Sequence, residues 1–251
     1  MKKNKWVELC MVLMLLLAVY LLSRQAAIRV ANMKSIDQSM QTTEEQESSE
    51  IAAKKQKEYT IMVDPGHGGA DPGKVGINQA LEKDINLSIA HKLRKLLEKE
   101  GIHVVMTREQ DAGLYDENAG SKKAQDMKRR CALIEETAPI FTVSIHQNSY
   151  HEEYVNGAQV FYYTHSDEGK KIAECLQQQL IDDIDPSNTR AAKANDTYYL
   201  LIHTSTPTVI VECGFLSNSK EADLLTQDSY QDKMAQSICA GVVKYVKQQS
   251  H

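Results

Sequence analysis

The sequence predicts a single α/β domain, mainly a parallel twisted sheet flanked by helices, standing behind an N-terminal membrane anchor. Three observations carry this reading. Short continuous apolar runs alternate with longer stretches in which apolar residues recur every three or four positions. Apolar runs without polar alternation suit strands buried on both faces, as in a parallel sheet covered by helices. Both patterns begin only after a basic, then apolar, N-terminus and a polar stretch.

The chain opens Met1-Lys2-Lys3-Asn4-Lys5, followed by 14 unbroken apolar residues from Leu9 to Leu22. A basic start before an apolar core is the pattern of an export signal. Counted from Trp6, with Glu8 as the one interruption, the run reaches the length of a spanning helix. The sequence after it, Ser23-Arg24-Gln25-Ala26-Ala27-Ile28-Arg29, has no small-x-small cleavage pair. Residues 1–28 are therefore expected to be an uncleaved signal-anchor, the alternative being a cleaved export signal that leaves a secreted protein. The lysines would stay in the cytoplasm and the rest of the chain would lie outside the membrane. Residues 29–58, with Gln41-Thr42-Thr43-Glu44-Glu45-Gln46-Glu47-Ser48-Ser49-Glu50 at their centre, cannot bury much apolar surface and read as a flexible linker.

The remainder, 59–251, starts with a strand, Tyr59-Thr60-Ile61-Met62-Val63, ended by Asp64-Pro65-Gly66. A helix around Ile85 to Leu93 should stop at Gly101. Ile102 to Thr107 reads as a second strand, Lys128 to Thr137 as a helix and Ile140 to Ile145 as a third strand. Ala158 to Tyr163 is a fourth strand, Gly169 to Ile181 a helix, Val209 to Val211 a fifth strand and Ser229 to Lys247 a closing helix. In that last helix Met234, Ile238, Val242, Tyr245 and Val246 recur at helical spacing and are expected in the core.

Composition narrows the function. The 251 residues carry 29 Lys+Arg against 34 Asp+Glu, a net charge of −5, which argues against a nucleic-acid binder. Hydrophobic residues at 42% and charged residues at 25% exclude wholesale disorder and collagen-like repeats. Five cysteines are too few for a disulfide scaffold, and no C-x-x-C occurs. Cys131, Cys175 and Cys239 fall in helical patterns, where free Cys acts as a small apolar residue. The glycine-rich Gly66-His67-Gly68-Gly69-Ala70-Asp71-Pro72-Gly73 fails the dinucleotide pattern, because Asp71 replaces the third Gly and Pro72 breaks the helix start.

In sheets of this kind, sites form at the carboxyl ends of strands. Three expected strands end in residues that can bind a metal: Asp64-Pro65-Gly66-His67, Ser144-Ile145-His146-Gln147-Asn148 and Val211-Glu212-Cys213. Glu82 opens the first helix, where a carboxylate suits the positive end of the dipole. Two imidazoles and a carboxylate, with a fourth position left to water, make a catalytic zinc site. His67, Glu82 and His146 could be the ligands, and Glu212 a proton shuttle. A single strand-end histidine is more often packed or solvent-facing, so residue types alone leave this reading open. Alternation along the strand turns Cys213 to the face opposite Glu212. His91, His103, His151 and His251 read as structural or surface residues.

Val63-Asp64-Pro65-Gly66-His67-Gly68-Gly69 resembles the opening signature of the zinc-dependent N-acetylmuramoyl-L-alanine amidases, and Glu82-Lys83-Asp84-Ile85-Asn86-Leu87 is similar to that family's second block. Met106-Thr107-Arg108, Arg130, Ser144-Ile145-His146 and the segment Pro207 to Asn218 follow in the family's order, so the resemblance covers residues 59 to 248. It implies one Zn²⁺ per chain on His67, Glu82 and His146, with Glu212 catalytic; Glu82 and Glu212 could in principle exchange roles, and their places in the motifs decide the assignment. It implies peptidoglycan, glycan strands bearing stem peptides, as the substrate, cut between the lactyl group of N-acetylmuramic acid and L-alanine. Asp64, Asn86, Arg130, Gln147, Asn148 and His203 are candidates for contacting substrate or supporting the ligands.

Two departures stand out. Gln147 occupies a position where relatives commonly have Ala, and Ile202 one where many have a basic residue. A small domain of this type behind one anchor resembles the spore-cortex amidases of endospore-forming bacteria, which remove stem peptides so that muramic-δ-lactam can form. That likeness implies a place between the forespore and mother-cell membranes, a second enzyme acting on the stripped muramic acid, and a possible activating helper protein at the membrane. The alternatives are a non-catalytic or partner-activated wall-binding protein on the same fold and a zinc peptidase cutting within the stem peptide.

Overall fold

The computed structural model describes residues 60–249 together with Met14, Arg24 and Gln25. The expected linker, and all but those three residues of the expected anchor, lie outside the described residues. Among the described residues no helix is long and apolar enough to cross a membrane.

The elements run β1 (Thr60–Pro65), α1 (Glu82–Lys99), β2 (His103–Met106), α2 (Lys122–Thr137), β3 (Phe141–Asn148), β4 (Gln159–Tyr163), α3 (Asp167–Asp183), β5 (Lys193–Asn195), α4 (Tyr199–Ile202), β6 (Thr208–Phe215), α5 (Ser219–Leu225) and α6 (Asp228–Gln249). They build one six-stranded sheet in the order β2-β1-β3-β6-β4-β5. The first four strands of that order are mutually parallel. β4 runs antiparallel to β6, and β5 parallel to β4. The sheet is thus mixed, and the expectation of a mainly parallel one holds for its β2-β1-β3-β6 part. Parallel neighbours need a long crossover, usually a helix. Residues 149–158, between β3 and β4, contain no helix, so the chain returns in the opposite direction.

Strand alternation sorts the side chains onto two faces. Ile61, Val63, Val143, Ile145, Val209, Val211 and Cys213 share one large apolar cluster with residues of α1, α3 and α6. Leu93, Leu97, Leu176 and Leu180 are wholly or almost wholly buried there, each worth about 1.5–3 kcal/mol of transfer free energy. The opposite face is covered more thinly. There Met62 packs with Cys131, Ile134 and Leu200, and Phe161 and Ile210 pack with Leu201. Cys213 joins the large cluster while its neighbour Glu212 faces the thin side, as alternation requires. Cys131, Cys175, Cys213 and Cys239 are all free thiols.

Helix boundaries follow their caps. α2 starts at Lys122, six residues before the sequence-based expectation, because the Ser121 side chain accepts from the Ala124 amide and caps a first turn that carries no apolar signal of its own. Ser166 caps α3 in the same way. α1 ends on schedule before Gly101, whose φ of 78° suits glycine. β5, a three-residue polar strand, carries no apolar pattern.

One buried ion-pair network ties the layers together. Asp64, at the end of β1, accepts from Arg130 Nη1, Thr107 Oγ1 and Ser144 Oγ, each at 2.6 Å. Arg130, on α2, also donates to Asp126 and to the carbonyls of Pro65 and His67. Burial alone would raise the Asp64 carboxyl, but the Arg130 guanidinium and the two hydroxyls override it and hold it at about 2. A carboxyl held below its unfolded value stabilises the fold fully above about pH 4. That contribution is lost as pH falls from there through about 2. Urea unfolding should therefore show stability falling over this acid range in the wild type and a flatter limb in Asp64→Asn. Arg130→Met, which leaves a buried carboxylate unpaired, should lose about 3–5 kcal/mol at neutral pH in the same measurement.

Candidate metal centre

The parallel strands β1, β3 and β6 are adjacent and end together, so the loop after β1, the end of β3 and the end of β6 converge. His146 and Glu212 are direct register partners, which places both side chains on the thin face of the sheet. Glu82 reaches the same place from the first residue of α1. His67 follows β1 in a left-handed backbone conformation, φ 61°, uncommon for a residue with a side chain. Its carbonyl is held by Arg130 Nη2 at 2.6 Å, and the turn beyond it is closed by paired Gly68 and Asp71 amides and carbonyls.

The Glu82 carboxylate lies between the two imidazoles. Oε2 is 3.3 Å from His67 Nε2, and Oε1 is 2.9 Å from His146 Nδ1. The backbone amides of Lys74 and Gln147 donate to Oε2 and Oε1 at 2.7 and 3.0 Å. One ligand atom from each of His67, Glu82 and His146 falls within 4.8 Å of the others. Two imidazole nitrogens and one carboxylate, gathered this closely, are the donor types of a catalytic zinc site that leaves a fourth position open. Two glycines leave the space. A Cβ on Gly66 would lie 2.2 Å from His146 Nε2, and one on Gly73 would lie 2.6 Å from Glu82 Oε2.

The electrostatics separate the two buried glutamates. Burial works to raise both. For Glu82, hydrogen bonds and charge from His146 and His67 win and hold the carboxyl far below the usual range. For Glu212 burial wins, the two histidines oppose it only in part, and the carboxyl rises to about 7. Glu212 Oε2 is buried without a hydrogen-bond partner, and the residue lines the same cleft, of about 360 Å³, as His67, Glu82 and His146.

The other sequence candidates occupy varied positions. Asn86, wholly buried, donates to Gly66 O and towards Glu82 Oε1 and accepts from the Gln147 side chain. Gln147 therefore backs the carboxylate of Glu82 through its amide and its neighbour. Asp64 and Arg130 line the cleft and pair with each other, and Arg130 alone reaches on to the carbonyls of Pro65 and His67. Asn148 turns its Oδ1 onto the Ser149 amide, and His203 stacks on Tyr199; neither lines the cleft.

Several contributors were not among the sequence candidates. Asp71 Oδ2 lies 3.0 Å from His67 Nδ1, while Oδ1 accepts from the Gly73 amide. This anchored carboxylate fixes the ring with Nε2 towards Glu82, a common arrangement behind ligating histidines. The spacing of four residues from His67 was the available clue. Residues 109–121 strap the loop from outside: Asp111 and Tyr115 accept from the Gly69 and Ala70 amides, and Lys83 bridges Asp111 to Gly69 O. Tyr198, Tyr199 and Leu200 form one rim of the cleft.

Asp71→Ala should weaken Zn²⁺ binding about 10–100-fold, read by competition with a chromophoric chelator, with Asp71→Asn falling between it and the wild type. Gly66→Ala should lower metal content while far-UV circular dichroism stays unchanged, because its clash falls on a ligand ring; retention of full metal content would show that His146 is not held by this contact.

Comparison with known proteins agrees with this geometry. The family model described as N-acetylmuramoyl-L-alanine amidase matches residues 61–244. The germination-specific N-acetylmuramoyl-L-alanine amidase of Bacillus subtilis is 40% identical over 188 residues, covering 74% of this chain and 78% of the relative. Among solved structures, the CwlD amidase from Clostridioides difficile, in complex with the GerS lipoprotein, superposes with a TM-score of 0.74 at 40% identity over 76% of this chain and 99% of that one. The amidase AmiC2 of Nostoc punctiforme gives 0.67 at 31% identity over 76% and 98%. With the family model spanning most of the chain and the strand-end constellation in place, this chain belongs to the N-acetylmuramoyl-L-alanine amidase family, enzymes that act on peptidoglycan.

Proposed function

We propose that the chain is a zinc-dependent amidase that hydrolyses the bond between the lactyl group of N-acetylmuramic acid and L-alanine of the stem peptide. The observation that carries this is the pairing of a three-donor centre with a buried carboxylate, Glu212, which has an unpartnered oxygen and stands on the same rung of the sheet as His146. When bound, zinc supplies Lewis-acid polarisation to a carbonyl that is otherwise a poor electrophile. His67, Glu82 and His146 hold it, and Asp71, Asn86 and Gln147 keep those three side chains in place. Glu212 takes the proton from the attacking water and delivers it to the departing alanine amine. Its place in the cleft, beside the three donors, puts it within reach of both halves of that transfer.

The biological setting we infer is maturation of the spore cortex, with muramic-δ-lactam formed after the stem peptide is removed. The support is the likeness to the germination-specific amidase of Bacillus subtilis and to the Clostridioides difficile amidase that was solved with a lipoprotein. A membrane-proximal helper protein for this chain is part of the same proposal. So is the organisation into anchor 1–28, linker 29–58 and catalytic domain 59–251, which would tether an extracytoplasmic enzyme close to its substrate.

The test is product analysis on muropeptides with defined zinc loading. New L-alanine amino termini are expected; other new termini would indicate a peptidase. Glu212→Gln should lower kcat about 10²–10⁴-fold and keep one zinc per chain, whereas His146→Ala should lose the zinc. Loss of zinc in Glu212→Gln would mean that Glu82 and Glu212 have exchanged roles.

A further inference from the structure

Two of the segments that line the cleft differ in chemistry. One is α4 with the residue before it, and it carries no charge. Tyr198 stands edge-on to Phe161, ring centroids 5.5 Å apart, and Tyr199 packs on His203 at 4.0 Å. The turn is anchored by Leu200 and Leu201, which are buried in two separate apolar clusters. Tyr199 remains 38% exposed and lines the cleft. A second lining segment is the start of α2. There Lys123 presents a largely exposed side chain, 3.9 Å from Asp71, and Asp126 is engaged by Arg130.

The proposed substrate is equally two-sided. On one side of the scissile amide, across a short lactyl link, lies a pyranose ring, uncharged and with an apolar C–H face. On the other lies a peptide that ends in a carboxylate. A carboxylate against the α4 wall would lose hydration without finding a cation. A sugar face against a fixed tyrosine ring buries apolar surface on both partners while the phenol and the sugar hydroxyls stay wet. From this we infer that Tyr199, backed by His203, is the saccharide-binding surface of the cleft, so that the glycan lies along α4 and the stem peptide along α2 beside Lys123. The inference rests on the amidase reading above and adds the direction in which substrate lies. His203 then acts through Tyr199, as a positioning residue, without reaching the cleft.

The test uses the full chain in the Glu212→Gln background, so that nothing turns over, and three probes: a peptide-free N-acetylglucosaminyl-N-acetylmuramic acid disaccharide, a free L-alanyl stem peptide and the intact muropeptide. Tyr199→Ala should weaken the disaccharide and the muropeptide roughly 3–10-fold and leave the free peptide unchanged. Tyr199→Phe should restore the disaccharide, and Lys123→Ala should weaken the peptide alone. Thermal melting of each variant checks the fold; if Tyr199→Ala does not fold, Tyr199→Ser and His203→Ala carry the same comparison. Muropeptide binding that is indifferent to Tyr199, disaccharide binding absent with Tyr199 intact, or loss confined to the peptide would overturn the wall assignment. Failure of the Tyr199-intact protein to bind even the muropeptide would overturn the amidase reading itself.

Discussion

Arg130 is the constraint on which fold and site both depend. Its guanidinium is almost fully buried and touches β1 through Asp64, its own helix through Asp126 and the ligand loop through the carbonyls of Pro65 and His67. A buried cation is tolerated only when charge and hydrogen bonds surround it, and here the surrounding groups are the backbone that aims His67. The left-handed residue at 67 is costly by itself. Arg130 makes that conformation the one in which two carbonyls and two carboxylates are satisfied. Stability and positioning are consequently a single property of this part of the molecule.

A second theme is the divergence of two chemically identical side chains. Glu82 and Glu212 are both buried, on neighbouring parts of one cleft. Glu82 is surrounded by donors, two imidazoles and two backbone amides, and is locked as an anion. Glu212 has an oxygen with no donor at all and is pushed towards the neutral form. Environments that separate like groups in this way divide holding from proton transfer. The β3–β6 ladder makes the separation durable, because the rung pairing His146 with Glu212 cannot slip by one residue without turning one of the two away from the cleft.

Much of this was legible in the sequence because it depends on local pattern. Apolar runs marked β1, β3 and β6, and the residues after them marked the site. What escaped depends on contacts between distant segments or on polar segments. β5 is polar and short, α2 begins in a lysine-rich turn announced only by Ser121, and the antiparallel course of β4 follows from a connection that happens to lack a helix. Within the site, Asp71 sat inside a glycine-rich motif read for its glycines. Tyr198 and Tyr199 stand at the entry to a four-residue helix without periodicity. Asp64 and Arg130 were found as motif positions, but that they face inward, towards the His67 loop, is visible only once α2 is laid against the sheet.

The free thiols have a bearing on where such a domain can work. Wall hydrolases operate outside the cytoplasm, where thiols meet oxidants and partner thiols. Reactivity requires the thiolate. Burial raises Cys131 and Cys239 to about 11 and Cys213 further still, while half-buried Cys175 is also raised by burial and donates to the Gly241 carbonyl. At neutral pH these four sulfurs are protonated, apolar packing atoms. The described domain therefore gains nothing from oxidative folding and offers little to a disulfide-forming catalyst, so its native state is the same on either side of a redox boundary.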